Sequence, residues 1–426
     1  MNFFFPDSQD QIDPFYDFIL ERSSKHRILQ RDDLYAHEIL KPIPYNGILV
    51  SKSVVDGNDY KPGTRVGSSY STALKNRFYR EKVHKFFRLD KYPKNNLKAM
   101  GDCGAFSYVN EDKPPFSVES VIEFYENGGF DYGISVDHLI LQYDKIHDEN
   151  PKLYKKENPK MYERREITLE LASEFLKISK KNKVNFTPIG VAQGWSPESY
   201  KQSVQDLKKM GYKYIALGSL VPVNTSGILE VLEKVSPTIK GKVDCHLLGI
   251  ARVDNSKKFS DFGITSFDTT SPFRRAFLDQ DKNFLLARNN FEYSAIKVPQ
   301  IDKNLKIKKN ILAGNIDQQK AHELEQKALK SLRSYDSKGT SIRSVINSLL
   351  NYSEVINTPI SEKALESVRL TLEDRPWKIC KCSICKKDGI EVILLRGSNR
   401  NKRRGFSNLH NFRKLLDKKL NDNTKV

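Results

Sequence analysis

The sequence predicts an α/β fold, a (β/α)8 TIM barrel that is followed by a helical segment and a cysteine-containing C-terminal subdomain. Between about residues 95 and 270, short apolar runs alternate with amphipathic stretches in units of about 20 to 50 residues. Such repeats form parallel sheets, because each return to a parallel strand needs a crossover helix. The number and order of the units favour a closed barrel over a doubly wound sheet. Neither GxGxxG nor GxxxxGKS/T occurs, which also argues against a nucleotide-binding fold.

Turn and cap residues mark the individual elements. A helix is predicted from Ser117 as its N-cap to the glycine pair ending at Gly129, and another from Ser196 to Gly211. Six apolar runs are the predicted strands: LKAM, DYGISVD, FTPIGVAQG, YIALGS, CHLLGIA and ITSFDTT.

Three regions are expected along the chain. Residues 1–300 would form the barrel, and 301–375 a helical segment that contains IDQQKAHELEQKALKSLRSY and IRSVINSLLNYSEVI. Residues 376–426 would hold the cysteine cluster and a closing helix that starts near NLHNFRKLL.

The charge of the chain suits a polyanionic partner. Lys and Arg number 71 against 53 Asp and Glu, a formal net charge of +18. Clusters of cations release counterions when they neutralise phosphates, although a single cluster is equally typical of a solvated surface. The clusters are Lys152, Lys155 and Lys156; Lys303, Lys306, Lys308 and Lys309; and Arg396, Arg400, Lys402, Arg403 and Arg404.

The chain has the composition of a reduced, cytoplasmic protein. Its N-terminus lacks a secretory signal, and no run of about 18 apolar residues is long enough to span a membrane. Five cysteines, with three of them clustered, do not form an extracellular disulfide framework.

Polar residues and glycines follow successive predicted strands, where barrels carry their functional groups. They are Asp102, Asp137, Gln193, Gly218, Ser219, Gly249 and Asp268. Any one of the aspartates is also typical of a helix N-cap, and the glycines of tight turns. Together the aspartates indicate carboxylate chemistry at a sugar carbon, or a metal site. His138 and His246 fit packed or surface positions better than metal ligation, which favours the carboxylate chemistry.

The cluster CKCSIC supplies three thiolates, and tetrahedral Zn²⁺ requires a fourth ligand. The expected ligands of this structural zinc are Cys380, Cys382, Cys385 and His410. A redox pair is the alternative, but no thioredoxin-like unit surrounds these cysteines. With four protein ligands the metal would be closed and non-catalytic, and would fix a basic module that includes Arg403 and Arg404.

These features together resemble the tRNA-guanine transglycosylase family, which combines a (β/α)8 barrel with a zinc subdomain. GDCGAF resembles the family segment DSGGFQ, GVAQG resembles GxVQG, ALGSL the GGL turn, LLGIA the MGVG segment and SFDTTSPFRR the FDCVxPTR segment. The likeness covers about residues 95–275 and 376–420. Cys103, Ala105, Ser219, Thr269 and Thr270 depart from the family pattern. FFFPDSQDQIDP, RDDLYAHEIL and YNGILVSKSVVDG in the N-terminal segment resemble DpdA, the DNA-modifying branch of the family.

The resemblance implies roles for the strand-end residues. Asp268 would be the nucleophile and Asp102 the general base, while Asp137 would accept hydrogen bonds from N1–H and the 2-amino group of a guanine-like base. Gln193 and the Ser219 N–H would reach O6. The remaining members of the base pocket would be Phe106, which stacks on the ring, Leu248, which closes the other side, and Gly218, Leu220 and Gly249.

The implied activity is a pentosyltransferase reaction on double-stranded DNA, in which guanine is exchanged for a 7-deazaguanine such as preQ0. Arg274 and Arg275 would contact phosphates together with Arg403 and Arg404, although a surface ion pair is nearly as well supported for the first two. Exchange on tRNA, a non-catalytic DNA-binding subunit and a hydrolytic glycosylase are the alternatives. The resemblance also implies a partner ATPase and a homodimer.

Overall fold

Eight parallel strands close into one barrel in the computed structural model, which describes residues 1–57, 69–146, 148, 151–279 and 281–422. The strands are β1 Asn2–Pro6, β2 Gly47–Ser51, β3 Lys98–Asp102, β4 Tyr132–Ile134, β5 Thr187–Ala192, β6 Tyr214–Leu217, β7 Asp244–Leu247 and β8 Ser266–Asp268. Each strand pairs with its neighbours in the sequence, and β1 pairs with β8 to close the ring. The predicted (β/α)8 fold is confirmed.

Two of these strands, β1 and β2, come from the N-terminal segment and are not among the six predicted from the sequence. Phe4 of β1 is buried and lies opposite Gly47 of β2 on one side and Asp268 of β8 on the other. Gly47 has no room for a side chain, because a Cβ there would lie 2.3 Å from the Lys98 carbonyl oxygen and 2.7 Å from the Phe4 ring. The close packing of this aromatic strand completes the barrel.

Helices connect successive strands of the barrel. They are Lys52–Val55, Thr72–Phe86, Val118–Gly128, Pro151–Glu157, Pro159–Asn182, Pro197–Met210, Thr225–Ile239 and Ser256–Asp261. The predicted caps are confirmed: the Ser117 and Ser196 hydroxyls accept hydrogen bonds from backbone N–H groups of the first turns. Gly129 and Gly211 end their helices with φ of +68° and +105°, a conformation that favours glycine.

The barrel interior contains a layer of apolar side chains from almost every strand. The buried members are Phe4, Leu49, Met100, Ile134, Ile189, Val191, Tyr214 and Ala216, with Tyr132 and Leu248 packed against them. Burial of such side chains contributes about 1.5–3 kcal/mol each to folding. This layer gives rigid support to the residues at the C-terminal ends of the strands.

Internal contacts divide the chain into two compact units. One contains the barrel, from Met1–Ser8, Tyr45–Thr270 and the residues after Leu415; the other contains Gln9–Pro44 and Ser271–Leu415. The second unit is mainly helical. Its helices are Ala36–Ile39, Ser271–Leu278, Leu305–Leu312, Gln318–Asp336, Ile342–Val355, Glu362–Asp374, Pro376–Ile379, Ser383–Asp388 and most of Gly397–Asn421. Strand β9 Phe284–Leu286 pairs with β10 Phe291–Tyr293, and β11 Ile296–Lys297 with β12 Leu394–Leu395.

These units differ from the boundaries expected at residues 300 and 375. Residues 271–300 belong with the helical unit, because β11 pairs with β12 near the C-terminal helix. The segment Gln9–Pro44 belongs there too, since Glu21 forms ion pairs with Arg396 and Arg400, both at 2.5 Å. Contacts between residues this far apart in the sequence replace the linear division that was expected. Within the described ranges, no helix is both long and apolar enough to cross a membrane.

Candidate active site

Asp102, the last residue of β3, is held in place at the C-terminal end of the barrel. Its Oδ2 accepts hydrogen bonds from Ser51 Oγ at 2.9 Å and from the Gly104 N–H at 3.0 Å. Ser51 ends the neighbouring strand and lies opposite Asp102 in the register. Gly104 has φ +83°, and a Cβ there would lie 1.9 Å from Ser53 Oγ, so this turn requires glycine. The turn fixes the carboxylate against the end of its own strand.

Asp137 follows β4 and is only 2% exposed. Its Oδ2 accepts from Gln193 Nε2 at 2.6 Å, and its Oδ1 accepts from the Cys103 thiol at 3.3 Å. Tyr108 donates its hydroxyl to Cys103 Sγ at 3.0 Å and to the Asp137 backbone oxygen at 3.1 Å. Burial, together with the charge of Asp102, raises the pKa of Asp137 to about 7. The protonated and ionised forms of this carboxyl group are therefore both well populated near neutral pH.

Asp268, the last residue of β8, has two oxygens in different surroundings. Its Oδ1 accepts from the Gly249 N–H at 2.8 Å and lies 3.1 Å from His246 Nε2. Its Oδ2 has no hydrogen-bond partner in the part of the chain that the structure describes. One oxygen is therefore anchored, and the other is available to react.

The three carboxylates are close enough to influence one another. Burial raises the pKa of Asp102, and the charge of Asp268 raises it further. The charge of Asp102 in turn contributes to the raised pKa of Asp137. Like charges that share a low-dielectric site disfavour simultaneous ionisation, and such groups are typical of acid–base catalysis. The barrel thus brings together the three aspartates that the sequence singled out.

The turn after β6 lies beside the amide of Gln193. A Cβ at Gly218 would lie 2.4 Å from Gln193 Nε2, so only glycine allows the amide to reach Asp137. Ser219 adopts φ +58°, a left-handed conformation where the family pattern has glycine. Its hydroxyl accepts from the Ile140 N–H at 3.0 Å. Its own N–H donates to no atom of the described residues, so the expected contact with a base remains open to it.

The apolar residues expected to line the base pocket differ in how much side-chain surface they expose. Phe106, in the short turn Ala105–Tyr108, is 61% exposed and free to stack on a ring. Leu248 is partly buried and packs on the interior layer of the barrel. Leu220 is fully buried, so it offers its backbone rather than its side chain.

The cysteine cluster of the second unit has the composition of a zinc site. The three sulfurs of Cys380, Cys382 and Cys385 are buried and lie within 4.8 Å of one another. Ser407 Oγ lies 3.5, 3.6 and 3.2 Å from these sulfurs in turn. Asn411 donates its side-chain amide to Cys380 Sγ at 3.3 Å. Three buried thiols around one point fit a soft, tetrahedral metal ion.

His410, the expected fourth ligand, lies within the C-terminal helix Gly397–Asn421 rather than at its start. The helix begins earlier than expected because β12 ends directly before it. His410 is buried, and its Nε2 has no hydrogen-bond partner among the described residues. Burial lowers the pKa of His410 and the charge of Cys380 opposes this shift, although His410 is not part of the compact sulfur group. An orphaned buried nitrogen near three thiols fits a metal ligand.

The structure corrects one expectation for the basic residues of the C-terminal helix. Arg403 and Arg404, expected to contact phosphates, are 2% and 0% exposed. Arg403 pairs with Asp388 at 2.8 Å, and Arg404 donates to backbone oxygens such as that of Ala276. Burial lowers the pKa of Arg404 to about 9. Both guanidinium groups therefore bind partners inside the second unit and are not available to a phosphate backbone.

Arg274 and Arg275 lie on the helix Ser271–Leu278, and both are exposed. Arg275 forms an ion pair with Glu292, as the alternative interpretation expected. Arg274 has no carboxylate partner within the described residues. Of the four arginines, Arg274 is therefore the one whose charge remains available.

Comparison with known proteins identifies the family. No protein-family model matches the chain. The chain is 44% identical over 414 residues to a DNA-guanine transglycosylase of Salmonella montevideo, an alignment that covers 96% of this chain and 95% of the relative. The chain belongs to the guanine transglycosylase family. The match includes the N-terminal segment as well as the barrel and the cysteine cluster, because almost the whole chain is covered.

Several side chains that hold the site were not predicted from the sequence to take part in it, and one of them, His246, was expected at a packed or surface position. Ser51, Tyr108 and His246 contact the carboxylates or their partners from other strands and turns. Ser407 and Asn411 do the same for the thiols. A signal for Ser51 and His246 was available, because each stands at or near a strand end.

We expect the purified protein to contain about one zinc ion per chain, which elemental analysis by mass spectrometry measures. Cys385→Ser should lose most of this metal, because serine replaces a thiolate ligand by a weak neutral donor. His410→Ala should weaken zinc binding in a chelator competition, because the metal would lose its nitrogen ligand.

Ser407→Ala is the matched control, since its hydroxyl touches all three sulfurs without carrying ligand charge. It should retain zinc. If Ser407→Ala lost zinc while His410→Ala kept it, Ser407 would replace His410 as the fourth ligand. If the wild-type protein bound no zinc at all, the prediction of a zinc site would be wrong.

Proposed function

We propose that this protein exchanges guanine in DNA for a 7-deazaguanine such as preQ0, through a covalent intermediate on Asp268. The observation that supports the proposal most directly is the convergence of Asp102, Asp137 and Asp268, with one Asp268 oxygen left unengaged. A transferase of this kind must break the bond between C1′ and N9 without cutting the strand. A carboxylate on the opposite face of the sugar stabilises the cationic transition state and can trap it.

In the first step, Asp268 Oδ2 forms a bond to C1′ while the C1′–N9 bond breaks and its electron pair stays on N9. The departing guanine takes a proton at N9. Asp102 is the proposed donor, because its raised pKa makes the protonated form accessible. The strand stays joined through the sugar, which is now esterified to the enzyme.

In the second step the reaction runs in reverse with another base. Asp102, now ionised, takes the N9 proton of the incoming deazaguanine, and N9 attacks C1′ as the bond to Asp268 Oδ2 breaks. Microscopic reversibility assigns the same carboxyl group to both proton transfers. The carboxylate of Asp268 is then restored.

Base recognition is assigned to Asp137 and its neighbours. A carboxylate can accept the N1–H and 2-amino hydrogen bonds of guanine together. Each oxygen has two acceptor sites, so Asp137 can do this while Gln193 and Cys103 still donate to it. The Ser219 N–H would donate to O6, and Phe106 would cover the ring. Guanine and its 7-deaza analogues share this edge, which is why one pocket serves both.

DNA is the proposed polymer for two reasons. The relative with 44% identity is named for action on DNA, and the alignment includes the N-terminal segment that resembles the DpdA branch. In a duplex the target nucleotide must be flipped out of the stack, at a cost of a few kcal/mol that phosphate contacts offset.

Exposed lysines are the proposed phosphate contacts. On and before the helix Leu305–Leu312, one cluster is exposed and has no carboxylate within 4 Å among the described residues: Lys303, Lys306, Lys308 and Lys309. Lys155 and Lys156 are also exposed, and the side chain of Lys152 lies outside the described residues. These lysines take over the part expected of the buried Arg403 and Arg404.

The first test is incorporation of labelled preQ0 into duplex DNA and, separately, into tRNA, with and without a partner ATPase. Label should enter DNA only, and Asp268→Ala should reduce the rate by at least about 10⁴-fold, because no covalent intermediate can form. Asp102→Asn should cost about 10²- to 10⁴-fold through loss of proton transfer.

Asp261→Ala is the control, since this exposed carboxylate pairs with Lys257 at the surface. Label in tRNA alone would keep the chemistry and reject DNA as the polymer. Undiminished exchange by Asp268→Ala would remove that residue from the nucleophilic role. Zinc content and DNA binding without label in either polymer would favour a binding subunit.

Binding of the free base should depend on pH through Asp137. Its pKa of about 7 means that the acceptor form is scarce at pH 6 and dominant at pH 8. Affinity for preQ0 should therefore rise with pH up to about 7, by at most tenfold per unit, and then level off. Calorimetric titration between pH 6 and 8.5 measures this. Asp137→Asn should bind weakly at every pH, and a pH dependence that survived in it would assign the titration elsewhere.

Replacing Lys303, Lys306, Lys308 and Lys309 by glutamine should weaken DNA binding and its salt dependence. The slope of log K against log salt should become shallower by about 0.9 for each lost phosphate contact. Affinity for free preQ0 should not change. Lys242→Gln, in the turn before β7, is the exposed control. An unchanged slope in the fourfold variant would place the DNA elsewhere.

A further inference from the structure

We propose that His246 is a positioning residue that decides which oxygen of Asp268 reacts and that holds the other oxygen through both steps. The proposal rests on the proposed role of Asp268 as nucleophile. His246 is fully buried in the barrel interior, and its Nε2 lies 3.1 Å from Asp268 Oδ1. Neither the sequence motifs nor the assignment of the three aspartates gives this histidine a part in the chemistry.

His246 is one link in a chain of buried polar groups. Its Nδ1 lies 2.6 Å from Ser266 Oγ, which lies 2.5 Å from the Tyr214 hydroxyl. Tyr214 is 7% exposed and Ser266 is fully buried. The chain therefore runs from Tyr214 through Ser266 and His246 to Asp268, inside an otherwise apolar layer.

The strands dictate this arrangement. His246 of β7 lies opposite Ser266 of β8 in the register. Ser266 and Asp268 are two residues apart on β8, so their side chains point to the same face. Tyr214 lies on β6, which pairs with β7 on the side opposite to β8. Pairing of β6, β7 and β8 thus assembles four residues of three strands.

The hydrogen bonds have one consistent direction. An ionised Asp268 can only accept, so His246 Nε2 must carry the proton, and in neutral imidazole Nδ1 is then the acceptor. Ser266 donates to Nδ1, and Tyr214 donates to Ser266. Each polar hydrogen of these three side chains is donated in one hydrogen bond. The far hydroxyls thus hold the imidazole in the tautomer that donates to the carboxylate, much as a third group orients the base of a catalytic triad.

This tautomer makes the two oxygens of Asp268 unequal. Oδ1 accepts from both His246 and the Gly249 N–H, which leaves Oδ2 to attack C1′. When the Oδ2–C1′ bond forms and the C1′–N9 bond breaks, Oδ1 becomes the carbonyl oxygen of the ester. The same two N–H groups still donate to it. When the incoming N9 attacks and the ester bond breaks, they stabilise the charge that returns to the carboxylate.

A purely structural role explains the chain poorly. Burying an imidazole and two hydroxyls inside an apolar layer costs free energy of desolvation that hydrogen bonds only partly recover. Apolar residues would fill the same space at lower cost. This chain of hydrogen bonds ends on the carboxylate of Asp268, which indicates that the buried polar groups serve the chemistry of that residue.

The test compares three variants in single-turnover and steady-state exchange. His246→Phe removes the donor and keeps a planar ring; His246→Gln places an amide N–H near the position of Nε2; Tyr214→Phe removes only the far hydroxyl. We expect His246→Phe to lower kcat by about 100-fold, the usual effect of losing one such donor, with the KM for the free base almost unchanged. His246→Gln should recover activity to within about tenfold of wild type, and Tyr214→Phe should lose less than His246→Phe.

Wild-type kcat in His246→Phe would overturn the proposal. Equal loss in His246→Phe and His246→Gln, accompanied by a lower melting temperature in both, would show a structural role instead. Nitrogen NMR of labelled wild-type protein gives a readout without turnover: the proton must reside on Nε2 of His246, and a proton on Nδ1 would contradict the proposal. Absence of exchange by wild type would reject the proposed function, while the NMR result would still test the hydrogen-bond chain.

Discussion

The repulsion between the Asp102 carboxylate and those of Asp137 and Asp268 is the constraint that organises the C-terminal end of the barrel. Each carboxylate needs hydrogen-bond donors to remain charged in a low-dielectric site, and no lysine or arginine of the described residues donates to any of them. Neutral donors from neighbouring strands and turns do this work instead. The pairs are Ser51 and Gly104 for Asp102, Cys103 and Gln193 for Asp137, and Gly249 and His246 for Asp268. Neutral donors support the charges without forming ion pairs with them, so Asp268 remains available as the proposed nucleophile.

The sequence predicted the parts of this site that depend on local order. Asp102 and Asp268 end their strands, as the rule for parallel barrels implies, and Gln193 follows β5 directly. Ser51 and His246, which contact carboxylates of neighbouring strands, were missed, because which side chain lies beside a carboxylate depends on the register of strand pairing. His246 illustrates this: its residue type is compatible with simple packing, and only pairing with Ser266 reveals the hydrogen-bond chain.

The basic C-terminal run illustrates the opposite failure. RGSNRNKRR has the composition of a nucleic-acid-binding patch, yet a helix turns several of its arginines towards acidic partners. Arg400 bonds Glu391 and Glu21, and Arg396 bonds Glu21 and Glu325. Such partners, up to 379 positions away, are invisible to local composition. The net charge indicates a polyanionic partner, but the phosphate contacts that we propose come from the exposed lysines and not from these arginines.

Cys103 shows how a departure from the family pattern fits the same constraint. Its thiol lies between two carboxylates, 3.9 Å from Asp102 Oδ1 and 3.3 Å from Asp137 Oδ1. Burial and these charges raise the pKa of the thiol well above its ordinary value, so it stays neutral. A thiolate here would add a fourth negative charge, whereas a neutral thiol is a weak donor that tolerates burial well. Tyr108 donates to the sulfur and orients the thiol proton towards the carboxylates. The cysteine can therefore replace the family's serine without disturbing the balance of charge on which the proposed chemistry depends.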